Sequence, residues 1–279
     1  MNKKQINKHT KMSRFLNPIV KEVLNTYETV ETMTKMFASN PDAVNRGLLI
    51  SGDAGMGKTH FVQKALSELG LTEKEVKYVK GSSLTAPAMF CLLYQAREKG
   101  QIIVFDDTDI IHKGPGERAA ILDMFKSATE PGMGQRILGW HRAERNTLMK
   151  DNDVPMEFDF QGAIIWITND SVEAMRKTIK GHWNAIASRF NQIEAWFEDH
   201  EKIAYTLYLI DEVKMLGENC TVIEGGFPED VIDDTVQYMN DNYRALKDIT
   251  PRVAIKIADI RKSFPEQWKV FCDNQFISY

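Results

Sequence analysis

The stretch GDAGMGKTH, residues 52–60, places three glycines beside a lysine and a hydroxyl. Residues 52–59 have the spacing G-x-x-x-x-G-K-T, in which glycines let backbone N–H groups converge on a phosphate without Cβ clashes. Lys58 would neutralise phosphate oxygens, and the Thr59 hydroxyl would be a Mg²⁺ ligand. The pattern therefore predicts a nucleotide site, with an ordinary glycine-rich turn as the alternative. The predicted binding residues are Gly52, Asp53, Ala54, Gly55, Met56, Gly57, Lys58, Thr59 and His60.

Two adjacent carboxylates end a second apolar run, IIVFDD, residues 102–107. Ligands of parallel α/β sheets collect at the carboxyl ends of the strands, so these side chains are expected near the phosphate site. Asp106 is suited to hold Mg²⁺ through water, and Asp107 is suited to orient or deprotonate an attacking water. The alternative is a solvated acidic strand end. With the glycine-rich motif, the pair predicts hydrolysis of ATP with Mg²⁺.

Short apolar strands alternate with amphipathic helices and would position these residues. The predicted strands are GLLIS (47–51), VKYVKG (76–81), IIVFDD (102–107), AIIWITN (163–169) and IEAWF (193–197). Runs that are apolar throughout indicate strands buried on both faces, and helices between them indicate parallel crossovers. A further helix is predicted over 17–45, with SNPD (39–42) breaking its pattern. The fold class expected is α/β with a parallel sheet.

The alternation of strands and helices ends near residue 198. Three amphipathic helices are predicted there, over 200–217, 228–247 and 251–264, while CTVIEGG (220–226) is ambiguous. Pro228 and Pro251 stand where the second and third helices begin, a position that proline favours. The predicted organisation is a basic arm and helix (1–40), an α/β nucleotide-binding core (41–197) and a helical lid subdomain (198–279).

With these motifs in this order, the chain resembles the AAA+ ATPase family over about residues 40–265. GDAGMGKT resembles the Walker A motif and IIVFDD the Walker B motif. The family usually has Asp-Glu where this chain has Asp106 and Asp107, and the shorter side chain implies slow hydrolysis. The resemblance implies a five-stranded parallel sheet of order 5-1-4-3-2, followed by a helical lid. Among its members, the compact ATPases of bacterial viruses and the helicase loaders are most similar to this chain.

The resemblance also implies catalytic roles for three residues outside the two Walker motifs. Asn169 resembles sensor 1, and Arg252 resembles sensor 2, with capping of the lid as its alternative. Arg189, in NAIASRF, resembles the arginine finger that reaches the nucleotide of a neighbouring subunit. Arg176 is the rival finger, and a surface arginine paired with an acid such as Glu194 is the other interpretation of Arg189. A shared site implies a homo-oligomer, a ring or open ring, with a hexamer expected.

Two segments are candidates for binding DNA or RNA. Residues 134–160 form an insertion that is longer than a crossover requires. Its RILGW and MEFDF segments are predicted to pair as a β-hairpin, with Trp140 near the basic tip. Residues 1–21 form a basic arm with six cationic side chains and no acid. The alternatives are a solvated loop that packs on the next subunit, and a solvated terminus. The predicted tip of the insertion carries His141, Arg142, Arg145 and Lys150.

Composition narrows the class of protein. The chain has 279 residues, 43% of them hydrophobic, and a net charge of −4. No apolar run approaches the roughly 20 residues of a membrane helix, so no membrane partner is expected. Three separated cysteines without a Cys-x-x-Cys pair indicate reduced thiols, a cytoplasmic location (the host cytoplasm for a viral protein) and no zinc site.

The function predicted is an AAA+ ATPase that hydrolyses ATP at subunit interfaces to remodel a nucleic-acid-linked client, as in DNA replication or recombination. Two alternatives stay open. One is a MoxR-like chaperone that remodels a protein client. The other is a nucleotide-gated binding switch with little turnover.

Overall fold

The computed structural model describes residues 17–81, 84–132, 134–141 and 144–278. Within these residues the chain forms two compact units. The sheet unit comprises Tyr27–Gly52 and Gly57–Ala195, and the helical unit comprises residues 17–26, 53–56 and 196–278. In the part of the chain that is described, no helix is long and apolar enough to cross a bilayer.

Seven strands form two sheets in the sheet unit. In chain order they are β1 (Gly47–Gly52), β2 (Val76–Lys80), β3 (Ile102–Asp106), β4 (Ile137–Gly139), β5 (Glu157–Asp159), β6 (Ala163–Thr168) and β7 (Phe190–Ala195). β4 and β5 pair as an antiparallel hairpin, which confirms the predicted pairing of RILGW with MEFDF. The other five strands are parallel, in the spatial order β2-β3-β6-β1-β7. Because β6 and β7 are the fourth and fifth strands of that sheet, the order is 5-1-4-3-2, and the α/β fold class is confirmed.

Burial along the strands follows their place in the sheet. Every residue of the three central strands β1, β3 and β6 is buried. The edge strands differ: β2 is mostly half-buried, and β7 has exposed and half-buried positions between buried ones. The prediction of strands buried on both faces is therefore wrong for these two. An edge strand has a neighbour on one side only, so part of its surface stays open to water.

The sheet unit contains or shares seven described helices, and local sequence explains where some of them begin or end. They are α1 (Pro18–Ser39), which begins in the helical unit, α2 (Lys58–Glu68), α3 (Ala86–Gln95), α4 (Pro115–Ala128), α5 (Thr147–Asp151), α6 (Val172–Thr178) and α7 (Lys180–Ala187). The Thr85 side chain accepts a hydrogen bond from the Ala88 N–H and so caps α3. α1 ends at Ser39 and not at residue 45, because Pro41 disfavours helical backbone at the residue before it.

Aromatic side chains fill the core of the sheet unit and anchor the insertion. Trp166 of β6 is fully buried, and its ring centroid lies 5.3 Å from that of Phe125 on α4. Trp140 and Phe158 of the insertion pack on Phe90 of α3, at centroid distances of 5.5 and 4.9 Å. The insertion is therefore tied to the core by its hairpin.

The helical unit contains four helices after the sheet. They are α8 (Asp199–Asp211), α9 (Glu229–Asn242), α10 (Pro251–Ser263) and α11 (Trp268–Phe276). α11 was not predicted, although Trp268, Cys272 and Phe276 recur every four residues and are buried. α8 ends at Asp211 and not at residue 217, and the ambiguous segment 220–226 contains no strand.

Candidate functional site

The glycine-rich loop, residues 52–59, joins β1 to α2 with backbone that only glycine adopts easily. A Cβ added to Gly52 would lie 2.3 Å from the Ala195 carbonyl oxygen on β7. Gly57, which precedes α2, has a φ of 112°, in the left-handed region. The first turn of α2 carries no acidic side chain. The N–H groups that point out of a helix N-terminus and the positive end of the helix dipole therefore favour an anion at this loop.

Lys58 is a buried cation, with only 5% of its surface exposed. Its Nζ donates hydrogen bonds to the Gly52 carbonyl oxygen at 2.7 Å and to the Asn169 Oδ1 at 2.8 Å. β1 and β6 are neighbours in the sheet, so Asn169, directly after β6, reaches the lysine. The ammonium group is thereby held at the carboxyl ends of two adjacent strands.

Thr59 and Asp106 form a pair of oxygen ligands beside this lysine. The Thr59 hydroxyl donates to Asp106 Oδ1 at 2.9 Å, and Asp106 is 7% exposed. A hydroxyl and a carboxylate are the kind of ligand that Mg²⁺ prefers. Burial first, and then the Asp106 carboxylate, raise the pKa of Tyr78 to about 12.

Asp107 follows β3 with its backbone in the left-handed region, at a φ of 53°. Its carboxylate is exposed, and its Oδ1 accepts a hydrogen bond from the Asn169 Nδ2 at 3.0 Å. Asn169 thus contacts Lys58 through its oxygen and Asp107 through its nitrogen. The two aspartates have different surroundings: Asp106 is buried and accepts a hydrogen bond from Thr59, while Asp107 is exposed to solvent.

One nearby pair was absent from the sequence analysis. The His112 Nε2 lies 2.8 Å from the Asp170 Oδ1, and the Thr168 hydroxyl donates to the other Asp170 oxygen at 3.2 Å. These contacts connect the segment after β3 to the segment after β6. No local pattern predicts the pair, since the two residues are far apart along the chain.

Residues 53–56 of the glycine-rich loop belong to the helical unit. The Asp53 carboxylate accepts from the Phe197 N–H at 2.9 Å and pairs with the Lys202 Nζ at 3.0 Å. A Cβ added to Gly55 would lie 3.5 Å from the Arg252 Cδ, so that arginine stands beside the loop. Met56 is fully buried, whereas Ala54 and His60 are exposed.

The two candidate finger arginines differ in their partners. The Arg189 Nε donates to the Glu130 Oε2 at 2.9 Å, the Nη2 contacts the same oxygen, and the Nη1 donates to the Ala185 carbonyl at 3.1 Å. The acid paired with Arg189 is therefore Glu130 and not Glu194. Arg176 is exposed, and within the described ranges no hydrogen bond or ion pair engages its guanidinium.

The basic tip expected of the insertion is only partly available. Trp140 is 7% exposed and packs on Phe90, so little of its ring is open to a nucleic acid. Its ring fills the core because a large apolar side chain is more stable out of water. The Lys150 Nζ lies 3.6 Å from Glu144, and the Arg145 Nη1 donates to the Val154 carbonyl at 3.3 Å. Arg142 and the basic arm up to residue 16 lie outside the described residues.

Comparisons with known proteins identify similar chains but assign no activity. No family model matches. The chain is similar to an uncharacterized 36.7 kDa protein of Enterobacteria phage T4, from the nrdC-mobD intergenic region, with 24% identity over 264 residues, 90% of this chain and 76% of that protein.

Among solved structures, domain III of the Thermotoga maritima replication initiation protein DnaA has a TM-score of 0.48 at 13% identity, over 90% of this chain and 92% of that one. A DNA replication initiation factor has a TM-score of 0.44 at 12% identity, over 87% of this chain and 63% of that one. The replication initiator DnaA bound to AMPPCP and single-stranded DNA has a TM-score of 0.42 at 12% identity, over 92% of this chain and 64% of that one. At these scores and identities the likenesses carry no argument about what this chain does.

Proposed function

We propose that this chain binds ATP with Mg²⁺ at the glycine-rich loop and hydrolyses it, as an ATPase of the AAA+ kind. One observation carries the proposal: Lys58, Thr59, Asp106, Asp107 and Asn169 meet at the carboxyl edge of one parallel sheet. This edge is where α/β sheets bind their ligands. The site combines one cation, two carboxylates, a hydroxyl and an amide beside a helix N-terminus. This set fits a nucleoside triphosphate with Mg²⁺ better than a neutral ligand.

The described contacts support a division of labour for phosphate and metal. The α2 N–H groups would bind phosphate oxygens, and Lys58 would neutralise their charge. The Thr59 hydroxyl and the Asp106 carboxylate, 2.9 Å apart, would hold Mg²⁺. The metal would neutralise charge on the triphosphate and fix its orientation. The left-handed backbone of Gly57 allows the tight turn into α2 that would bring N–H groups to a phosphate, while Gly52 makes room for β7.

Asp107 and Asn169 are proposed to act on the attacking water. Asp107 is exposed and next to the buried metal ligand, and the Asn169 amide fixes one of its oxygens. The amide would orient the carboxylate toward the water without adding a charge beside it. The side chain is one methylene shorter than glutamate, so we expect turnover to be slow.

Arg189 and Arg252 are proposed to stabilise negative charge on the phosphates during hydrolysis. Arg252 stands beside Gly55 at the start of α10, where its charge would stabilise phosphate. Arg189 would reach a neighbouring subunit in a ring or open ring, for which a hexamer is the expected size. To do so it would have to exchange Glu130, its partner in the isolated chain, for a phosphate.

The client we propose first is linked to nucleic acid, with a MoxR-like protein client as the alternative. Support from the insertion is modest, because its acidic side chains outnumber its basic ones. Between 141 and 157 these are Arg142, Arg145 and Lys150 against Glu144, Asp151, Asp153 and Glu157. Phosphate release measured with single-stranded DNA, duplex DNA, RNA or protein fractions, at two salt concentrations, separates these clients. Stimulation by nucleic acid favours the first, and stimulation by protein alone favours the second.

A nucleotide-gated switch with little turnover is a second candidate function. The observation that favours it is the Arg189–Glu130 pair, which occupies the candidate finger, together with the short Asp107. Tight ATP binding with negligible phosphate release, in the presence and absence of clients, would identify a switch.

Removal of the Lys58 charge tests the proposed ATPase. Lys58→Ala should abolish phosphate release, since nothing else in the described loop neutralises the phosphates from the β1 edge. Lys64→Ala is a matched control, because Lys64 lies on the same helix in an exposed ion pair with Glu31. It should release phosphate at the wild-type rate. Wild-type turnover in the Lys58→Ala protein would show that residues 52–59 are not the catalytic phosphate loop.

A further inference from the structure

Asp53 stands in the glycine-rich loop, where an acid is electrostatically unfavourable. The loop is proposed to surround phosphates, and a carboxylate there would repel them. Of the eight residues 52–59, Asp53 is the only one with an anionic side chain. A loop with this residue can bind a triphosphate well only if the carboxylate is neutralised or turned away.

Each Asp53 oxygen has a partner within the helical unit, to which Asp53 itself belongs. The Oδ1 lies 3.0 Å from the Lys202 Nζ, and the Oδ2 accepts from the Phe197 N–H at 2.9 Å. The side chains of Asp53 and Lys202 are 18% and 17% exposed, so water screens this pair less than it screens a surface pair. The carboxylate is therefore turned toward α8 and the connection before it.

The lysine is placed by a well-formed helix start. α8 begins with a capping box, in which the Glu198 side chain accepts from the Glu201 N–H and the Glu201 side chain accepts from the Glu198 N–H. The Lys202 N–H donates to the Glu198 carbonyl at 2.9 Å. Because this turn is fixed at both ends, the Lys202 side chain starts from a defined position and orders at lower entropic cost.

We propose that Lys202 is the counter-ion of the phosphate loop. It neutralises Asp53, and together with the Phe197 N–H it holds residues 53–56 in the conformation that binds phosphate. Lys202 and Asp53 are then positioning residues that act through each other, and Asp53 is not a nucleotide contact. The inference rests on the proposed function, because the phosphates are those of bound ATP.

If Lys202 is a counter-ion, substitution of Asp53 should rescue the loss of ATP affinity that substitution of Lys202 causes. Lys202→Met leaves an uncompensated carboxylate in the loop, so ATP affinity should fall about tenfold. Asp53→Asn removes the charge and keeps an acceptor for the Phe197 N–H, so affinity should change less than about threefold. The double variant should bind ATP more tightly than Lys202→Met alone. A purely structural contact predicts the opposite, a double variant at least as impaired as either single one.

The experiment measures the dissociation constant of a fluorescent ATP analogue with Mg²⁺, at low and high salt. Lys202→Arg keeps the charge and should restore affinity to near the wild-type value. Asp199→Asn is the control, since Asp199 is an exposed acid in the same helix turn. It should bind as the wild type does. The defect of Lys202→Met should shrink at high salt, because screening weakens the repulsion. If that variant does not fold, Lys202→Gln takes its place.

Failure of this inference is distinguishable from failure of the proposed function. If Lys58→Ala loses nucleotide while Lys202→Met and the double variant bind as the wild type does, the phosphate loop stands and the counter-ion is wrong. Amide exchange of the protein without nucleotide gives a second readout. The Phe197 amide should exchange faster in Asp53→Ala and near the wild-type rate in Asp53→Asn. Unchanged Phe197 exchange in Asp53→Ala would overturn the positioning role whether or not ATP binds.

Discussion

Asn169 is the residue that organises the charges of the site. Its amide oxygen accepts from Lys58 and its amide nitrogen donates to Asp107, so one neutral side chain contacts both a cation and an anion. A carboxylate at this position would repel Asp107, and an apolar side chain would leave the buried Lys58 with one acceptor fewer. An asparagine satisfies both neighbours without adding charge.

Separate substitution of the two aspartates tests their separate roles. Asp106→Asn removes the one carboxylate proposed as a Mg²⁺ ligand and should weaken Mg²⁺-dependent ATP binding about tenfold or more. Asp107→Asn should bind ATP as the wild type does and lower turnover by about 10²–10⁴, because only activation of water is lost. Nucleotide titration and phosphate release measure the two quantities. Equal losses of ATP affinity in both variants would contradict the division of labour.

The site residues that could be predicted from the sequence are those whose types and spacing follow a motif. Residues that only tertiary packing brings together were missed. Asp106 and Asp107 stand at the end of a strand that the apolar pattern locates, and Lys58 and Thr59 follow the glycine-rich loop after another, so their meeting follows from a parallel sheet. Lys202 and Glu130 have no such marker. Lys202 lies far along the chain from Asp53, and the spacing to its partner carries no periodicity. The choice of Glu130 over Glu194 by Arg189 depends on side-chain packing after the helices form.

The contacts of the insertion, residues 134–160, bear on its predicted role in binding DNA or RNA. Its hairpin is held to α3 by Trp140 and Phe158, and its short helix α5 carries Lys150 within reach of Glu144. Ion pairing within the insertion reduces the charge available to a phosphate backbone. A role in nucleic-acid binding therefore depends on whether Arg145 and Lys150 exchange these partners for phosphates.

Salt dependence of DNA binding tests the insertion directly. If Arg145 and Lys150 each contact a phosphate, the double alanine variant should bind single-stranded DNA more weakly. The slope of log affinity against log salt should also flatten by roughly 0.7 per lost contact. A double alanine variant of Lys35 and Lys64 is a control of equal charge, since both lie in exposed ion pairs on α1 and α2. Equal slopes in the wild type, variant and control would return the insertion to a packing role.

Elements with strong periodicity were predicted well, and their ends less well. The five strands of the sheet were located because a buried strand is apolar along its whole length, and the order of the strands followed from the AAA+ resemblance. β7 begins at Phe190 and not at residue 193, because the polar Asn191 and Gln192 interrupt the apolar pattern of this edge strand. α11 was overlooked because it is short and follows a proline, although its buried face repeats every four residues.

At the scale of the whole molecule, the proposal requires that one chain alone be an incomplete enzyme. Arg189 lies just before β7, and Glu130 holds it in the isolated chain. If it serves a neighbouring subunit, its loss should spare ATP binding and reduce turnover by about 10³ or more. If it only joins α4 to the segment before β7, its loss should cost about 0.2–1 kcal/mol of stability, as exposed ion pairs do.

Mixing two inactive variants distinguishes these outcomes. Arg189→Ala keeps the phosphate loop, and Lys58→Ala keeps the arginine. In a mixed oligomer some interfaces would pair an intact loop with an intact Arg189, so phosphate release should recover. Glu130→Gln, which frees the arginine without removing it, should retain turnover. No recovery under conditions where subunits exchange, with turnover independent of protein concentration, would make Arg189 a structural residue.

The central claim is that Lys58 and its neighbours form one ATP–Mg²⁺ site in each chain. Calorimetric titration of the protein with ATP in the presence of Mg²⁺, beside the Lys58→Ala and Lys64→Ala variants, tests it most directly. The account predicts one ATP per chain for the wild type and for Lys64→Ala, and an affinity loss of about 100-fold or more for Lys58→Ala, because a buried charge contact to phosphate is lost. Absence of binding by the wild type, or equal affinity in Lys58→Ala, would contradict it.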